Sequence, residues 1–482
     1  MDKKLIIIAV ISILVGTLIG VYFISRPESS AATDINKENI IIENKTTTNN
    51  IEPISEIIES PVKEKIIRDD IKAIYLTGWS AGTKSKLEST ITNIKENDFN
   101  AVVIDIKDEA GRLSYKSNVQ TAIDIGASQN MISNITNVIN LLKENDIYVI
   151  GRIVTFKDPL FAKKVQDIAY KKADNSIWTD YSGNNWPNPY NTSSWDYPIA
   201  LAKEAAELGF DEIQFDYVRF PSSEGRTKQI AFGFDSDTKT KSQVINSFLE
   251  KVMSELEEYK IVVSADVFGI ITKRQGDFEN IGQDFAAIAQ IVDVICPMVY
   301  PSHYAPGEYK LANPDKSPYN TVYYSVKDGL KRYEEIENPD AKKAVIRPYL
   351  QDFTASWLGR GKYLNYSTNQ VKEQIQACYD LRIQSFTLWD PSNKYCYEAL
   401  KQCVWMSEEE YQAKLEQEQA QTENNAVPEM WFLFQITVTQ FVFPGRRCAG
   451  ETVFSPWKKV SFGNSDTHIY AKRLWNLFTS SF

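Results

Sequence analysis

Three aspartates close short apolar runs, where a buried charge needs a reason. Asp216 lies in Glu212 to Val218 (EIQFDYV), Asp266 in Ile261 to Val267 (IVVSADV) and Asp105 in Ala101 to Ile106 (AVVIDI). In the first run Ile213, Phe215 and Tyr217 alternate with Gln214, Asp216 and Val218, the period of a strand with two unlike faces. Pro221 ends it. A carboxylate at the end of such a strand is costly to bury unless it is paired. One reading is structural, an ion pair between Asp216 and Arg219. The other is catalytic. Two carboxylates on neighbouring strand ends can flank one bond of a substrate, which is the minimum equipment for glycoside hydrolysis. A separation of about 5–5.5 Å gives retention and one of about 6.5–9.5 Å gives inversion.

Elements that place those strands side by side recur along the chain. Strands are expected at Ala73 to Thr77, Ala101 to Ile106, Ile147 to Val154, Glu212 to Val218, Ile261 to Val267, Val292 to Tyr300, Ala344 to Leu350 and Gln384 to Trp389. Helical patterns follow them at Lys84 to Glu96, Met131 to Lys143, Leu160 to Lys172 with Trp195 to Leu208, Thr240 to Glu257, Ile281 to Gln290, Val322 to Tyr333, Thr368 to Leu381 and Lys394 to Gln402. Eight units of strand then helix, with nearly continuous apolar strands, predict an α/β fold, a (β/α)8 TIM barrel. An open doubly wound sheet is the competitor. No GxGxxG or GxxxxGK[ST] follows any strand, which removes the usual nucleotide reason for it.

In such a barrel, function lies at the carboxyl ends of the strands. Asp211 and Asp293 begin strands four and six and read as structural. Asp105, Asp216 and Asp266 end strands two, four and five. Gln214 with Asp216, Ser264 with Asp266, and Asp105 with Lys107 form polar faces expected to point into the barrel. Asp216 and Asp266 are the catalytic candidates. Asp105, Lys107, Arg152, Arg219, Tyr300, His303, Trp389 and Asp390 are expected to line the substrate site. Arg152 and Arg219 would hold the aspartates ionised. Trp389 would form a floor under a sugar ring, against a plain reading as core packing. Trp79, Trp178 and Trp186 add aromatic surface. A divalent metal on Asp105, Asp108 and Asp216 has no loop motif behind it. No cofactor is expected.

The flanks differ in character. Lys3 and Lys4 precede an uncharged apolar run from Leu5 to Ile24, the length of a bilayer-spanning helix. The lysines favour a cytoplasmic amino terminus with the rest of the chain outside. Residues 1–24 are therefore expected to form a membrane anchor, although small residues at Ser29 to Ala32 would also suit cleavage and secretion. Residues 25–68 read as a disordered linker, 69–403 as the barrel, and 404–482 as an acidic helix followed by a tail with no assignable fold. The net charge of −10 argues against nucleic acid as a partner. The five cysteines match no zinc spacing and read mainly as buried thiols, with a bridge from Cys378 to Cys396 or Cys403 left open.

The strings DIKDEAGRLSY (Asp105 to Tyr115), EIQFDYVRFP (Glu212 to Pro221), VSADVFG (Val263 to Gly269), PMVYPSHY (Pro297 to Tyr304) and FTLWD (Phe386 to Asp390) carry a family likeness. Taken in order, they resemble the bacterial putative glycosyl hydrolase family first catalogued as a domain of unknown function. The resemblance runs from about residue 71 to 402. It implies a (β/α)8 barrel related to α-amylase-like and α-galactosidase-like hydrolases. It also implies a nucleophile at Asp216 and an acid at Asp266, where the amylase-like pattern has Glu. The expectation is a glycoside hydrolase, anchored outside the cytoplasm, acting on a cell-surface or extracellular polysaccharide. The alternatives are a glycan-binding envelope protein that uses the cleft without turnover and, third, a metal-dependent hydrolase.

Overall fold

A computed structural model describes residues 64–417, except 223–224, 275, 339 and 415. The expected anchor at 1–24, most of the linker at 25–68 and the tail from 427 lie outside the described residues. Among those described, no helix is long and apolar enough to cross a membrane.

Eight parallel strands form the sheet: β1 (Lys72–Leu76), β2 (Ala101–Lys107), β3 (Tyr148–Val154), β4 (Glu212–Asp216), β5 (Val262–Phe268), β6 (Val294–Met298), β7 and β8 (Phe386–Trp389). The strand β7 comes in two pieces, Val345–Ile346 and Tyr349–Gln351. The break falls at Arg347 and Pro348, where proline has no N–H to give to a ladder. The first piece pairs with β6, and the second pairs with β8 and touches β6 at Met298. With β8 also paired to β1, the sheet closes on itself as a barrel.

Helices clothe it: α1 (Lys84–Glu96), α2 (Ile135–Lys143), α3 (Asp196–Leu208), α4 (Lys241–Glu255), α5 (Phe285–Ala289), α6 (Pro318–Glu334) and α7 (Thr368–Tyr379). Apolar spacing explains which face each one buries. In α1, Leu87, Ile91 and Ile94 fall on one side and are buried. The start of α4 is fixed by a capping box between Thr240 and Gln243. Gly209, at φ 99°, ends α3 and turns the chain into β4.

The strand alternation divides the core. Ile213, Phe215, Val263 and Ala265 face the helices in the large core. Tyr75, Val103 and Ile150 pack inside the barrel near Trp389, and Val262, Val294, Cys296 and Tyr349 form a second inner group. Along β4 the inward side chains form a polar column. Glu212 pairs with Arg347, Gln214 accepts from the Tyr349 hydroxyl at 2.5 Å, and Asp216 comes last, at the carboxyl rim.

Met131 to Lys143 and Ile281 to Gln290 give the shorter helices Ile135–Lys143 and Phe285–Ala289, and two further expected helices are largely replaced by other structure. Leu160 to Lys172 gives only Pro159–Lys164 and a 3-10 turn. Beyond it Ala169 and Lys171 bridge to Pro187 and Ile177, so pairing with the long loop after β3 overrides helix propensity. Lys394 to Gln402 is a 3-10 turn over Tyr397–Gln402, because Asp390 gathers the N–H groups ahead of it into a tight turn. The chain divides after Met406 into two units. In the second, Ser407 and Glu410 exchange capping hydrogen bonds at the start of a helix.

Candidate active site

The carboxyl ends of β2, β3 and β4 meet on one guanidinium. Arg152 donates to Asp105 Oδ1 from Nη1 at 2.7 Å and to Glu109 Oε1 from Nη2 at 2.6 Å. It also donates to Asp216 Oδ2 from Nε at 3.0 Å and Nη2 at 2.6 Å. The register sets Asp105 opposite Arg152 and Asp216 opposite Val154, two residues further along β3, a step that the long Arg152 side chain spans. Burial alone would lower the Arg152 pKa, but the three carboxylates outweigh it and hold the guanidinium charged.

The carboxylates around it are unequal. Asp105 also accepts from the Tyr75 hydroxyl at 2.5 Å. Burial pushes Asp105 up to about 7, against the pull of Arg152. Glu109 is 35% exposed at its side chain. Burial would raise it, yet the Arg152 charge and hydrogen bond leave it below its ordinary value. Asp266 is 1% exposed and its Oδ1 has no hydrogen-bond partner among the described residues. Burial first, and the Asp216 charge second, raise Asp266 well above the ordinary aspartate value. It stands one step past the register pair Phe215 and Ala265, on the strand next to Asp216.

The backbone after Asp216 is unusual. Tyr217 has φ 49°, a left-handed conformation seldom taken by an aromatic residue. That turn brings its N–H onto Asp216 Oδ1 at 2.5 Å. Thr155 and Phe156 donate backbone N–H groups to the carbonyls of Asp216 and Tyr217, which ties the turn to the end of β3.

Aromatic rings wall the mouth. Trp389 stacks on Tyr75 with centroids 3.9 Å apart, and Arg152 lies 5.2 Å from the Trp389 centroid. Tyr300 is buried against Tyr349, Phe353 and His303. Its phenol is pushed well up by burial and then by the charges of Asp266 and Asp216, so it stays a protonated donor beside that pair. His303 is exposed, with Ser302 Oγ 3.1 Å from its Nδ1.

The expected site residues thus divide. Asp105, Arg152, Asp216, Asp266, Tyr300 and Trp389 come together, with His303 at the edge. Lys107 does not join them. A register shift between Asp105 and Lys107 turns its side chain to the helix side, where it is 0% exposed, bonds Asp158 at 2.7 Å and lies 4.8 Å from the Tyr197 centroid. Asp390 is spent on its own turn, accepting from Ser392 N, Ser392 Oγ and Lys394 N. Arg219 does not pair with Asp216. It donates to the Phe220 carbonyl and packs on aromatic rings, so Arg152 is the partner in its place. Trp178 is fully buried in the loop core, while Trp79 is 56% exposed.

Sequence reasoning missed Glu109 and Tyr75. The DEAGR string carried a signal for the first. Asp108 accepts from Ala110 N and Arg112 N, and Gly111 at φ 78° closes the turn that directs Glu109 to Arg152. Tyr75 lies on the same strand face as Ala73, both in the inner group. Among the described residues no cluster of metal-ligating side chains is present.

A family model described as "Putative glycosyl hydrolase domain" matches residues 73–395. No curated protein sequence matches. Among solved structures, a hypothetical protein from Ruminiclostridium thermocellum is 40% identical, covering 40% of this chain and 97% of its own, with a TM-score of 0.37. The PgaB (BpsB) glycoside hydrolase domain from Bordetella bronchiseptica is 12% identical, covering 70% of this chain and 99% of its own, with a TM-score of 0.50. A chitinase from Chromobacterium violaceum is 12% identical over 69% of this chain and 98% of its own, at a TM-score of 0.38. The likeness to the Bordetella domain is one of fold.

Proposed function

The chain belongs to the putative glycosyl hydrolase domain family, and from that premise we propose that it hydrolyses O-glycosidic bonds with Asp216 and Asp266. The observation that carries this reading is the unlike treatment of two aspartates on adjacent strands. Asp216 is bonded to a buried guanidinium, while Asp266 is buried, its Oδ1 has no hydrogen-bond partner among the described residues, and its pKa is raised. Environments that push two carboxyls apart divide acid from nucleophile. Neighbouring strands lie about 4.8 Å apart, which suits the shorter carboxyl separation of retaining enzymes, about 5–5.5 Å.

In the first step a carboxylate oxygen of Asp216 attacks the anomeric carbon, forming a C–O ester bond. The glycosidic C–O bond breaks, and Asp266 gives its proton to the leaving oxygen. In the second, Asp266, now a carboxylate, takes a proton from water. The hydroxide adds to the anomeric carbon and releases Asp216. Arg152 and Asp105 orient the nucleophile and the sugar hydroxyls, and Trp389, Tyr300 and His303 supply ring surface and hydrogen bonds. The substrate class is a cell-surface or extracellular polysaccharide, reached by a domain tethered through residues 1–24. The test is the anomer first released, read by proton NMR: retention is expected, and inversion would remove the covalent step.

One observation favours a second reading, a glycan-binding protein without turnover. Both Asp216 oxygens already accept hydrogen bonds, from Arg152 and from Tyr217 N. Unchanged glycan after prolonged incubation with a chain that binds it would decide for that reading.

A further inference from the structure

Beside the carboxylate cluster lies a pair of cations that make no salt bridge among the described residues. Arg219 follows β4 by three residues and is 7% exposed. Its guanidinium carbon lies 4.4 Å from the Phe268 ring centroid, 4.9 Å from Tyr217 and 5.4 Å from Trp186. Among the described residues its one acceptor is the Phe220 carbonyl, 2.9 Å from Nη1. The rest of the guanidinium fork, which carries five N–H donors in all, has no acceptor among the described residues. Lys157, three residues past β3, lies 4.8 Å from the same Tyr217 ring with Nζ 3.5 Å from its hydroxyl. No carboxylate among the described residues forms a salt bridge with either group, although the Lys157 charge reaches Glu109 and helps to lower it.

The strained turn at Tyr217 is what brings this pair together. It sets the ring that both cations share just past the end of β4, within reach of Lys157 and Arg219. Three rings hold Arg219 in place by cation–π contact, which fixes the fork without neutralising it. A buried cation with unfilled donors is costly unless a ligand pairs it. Burial accordingly pushes Arg219 below its ordinary value.

We propose that Lys157 and Arg219, set on Tyr217, form a subsite for an oxyanion on the substrate, so that the polysaccharide is an acidic one. The proposal rests on the hydrolase site above and names its substrate class. A planar fork with an ammonium beside it suits a carboxylate, as in a uronic acid, and equally a phosphate or sulfate ester. In a chain of net charge −10 such a pair is a local exception, which makes it selective.

The test is binding of the full chain to a panel of neutral, carboxylate-bearing, phosphate-bearing and sulfated oligosaccharides, with each acidic member beside its neutralised counterpart. The expected result is that an acidic class binds roughly tenfold or more tighter than its counterpart, and the class that does so identifies the anion. Lys157→Gln and, independently, Arg219→Gln should each remove most of that preference. Circular dichroism confirms that the variants fold, and Lys157→Gln alone decides if Arg219→Gln does not. Binding confined to neutral members, no binding of any acidic member, or a preference that survives both substitutions overturns the proposal. Incubation of each bound glycan separates the two readings. Acidic glycans bound but never cleaved remove the hydrolase and leave the subsite, whereas neutral glycans cleaved with no acidic preference do the reverse.

Discussion

Arg152 and Asp216 are joined across neighbouring strands by two hydrogen bonds, from Nε at 3.0 Å and from Nη2 at 2.6 Å, both onto Oδ2. The same guanidinium reaches Asp105 and Glu109, so one buried cation answers three carboxylates. Removing it leaves their charges unpaired, whereas removing one carboxylate leaves the cation two partners. Arg152→Met should therefore destabilise the fold by roughly 3–5 kcal/mol, measured by urea unfolding. Asp216→Asn should cost much less, and its cost should fall further in an Arg152→Met background. Equal costs for the two single variants would contradict this.

The same cluster makes stability depend on pH. Asp105, pushed up to about 7 mainly by burial, binds its proton more tightly folded than unfolded. Its contribution is fully present below the ordinary aspartate value of about 3.9 and is lost as pH rises through about 7. The advantage of the wild type over Asp105→Asn should thus shrink between about pH 4 and pH 8. Asp352 also titrates near 7 for the same reason, and it remains in both proteins. Parallel curves for the two would show that Asp105 does not titrate in this window.

Asp266 offers a more local titration. Burial is the first cause of its raised pKa and the Asp216 charge the second. Asp216→Asn removes only the second. The Asp266 carboxyl should then titrate lower, yet still above an ordinary aspartate, as followed by carbon-13 NMR of labelled aspartate. No movement would place the two carboxyls too far apart to act on one bond.

Lys107 and Asp158 form a buried ion pair on the helix side of β2, and Asp158 also caps Pro159–Lys164 by accepting from Phe161 N. Lys107→Met should lower stability by roughly 3–5 kcal/mol and leave KM for any substrate close to the wild-type value. A raised KM in a variant of unchanged stability would return Lys107 to the substrate site.

Most of the barrel could be read from strand periodicity, because Ile213 and Phe215, or Val263 and Ala265, can only face the helices when the alternating polar residues face inward. The inward column Gln214 and Asp216 followed from that. Lys107 did not, because a single register shift after Asp105 reverses the face of everything beyond it and leaves no mark in residue type. Asp390 and Arg219 stand apart from the Arg152 cluster for a related reason. Both lie beyond strand ends, where a tight turn takes up the Asp390 carboxylate and where Arg219 gives one donor to the Phe220 carbonyl and packs on aromatic rings. The pairing of Asp216 with Arg152, sixty-four residues away, depends on strand register and not on the nearer Arg219. Glu109 was hidden by loop geometry that only the Asp108 turn makes explicit.

The most direct measurement is reducing-end release from a polysaccharide that the wild-type chain cleaves, repeated with Asp216→Asn and Asp266→Asn. Each substitution should lower the rate by at least about 10²-fold, the range for loss of a group that transfers a proton or attacks. If both variants cleave at the wild-type rate, the two aspartates are not the catalytic pair.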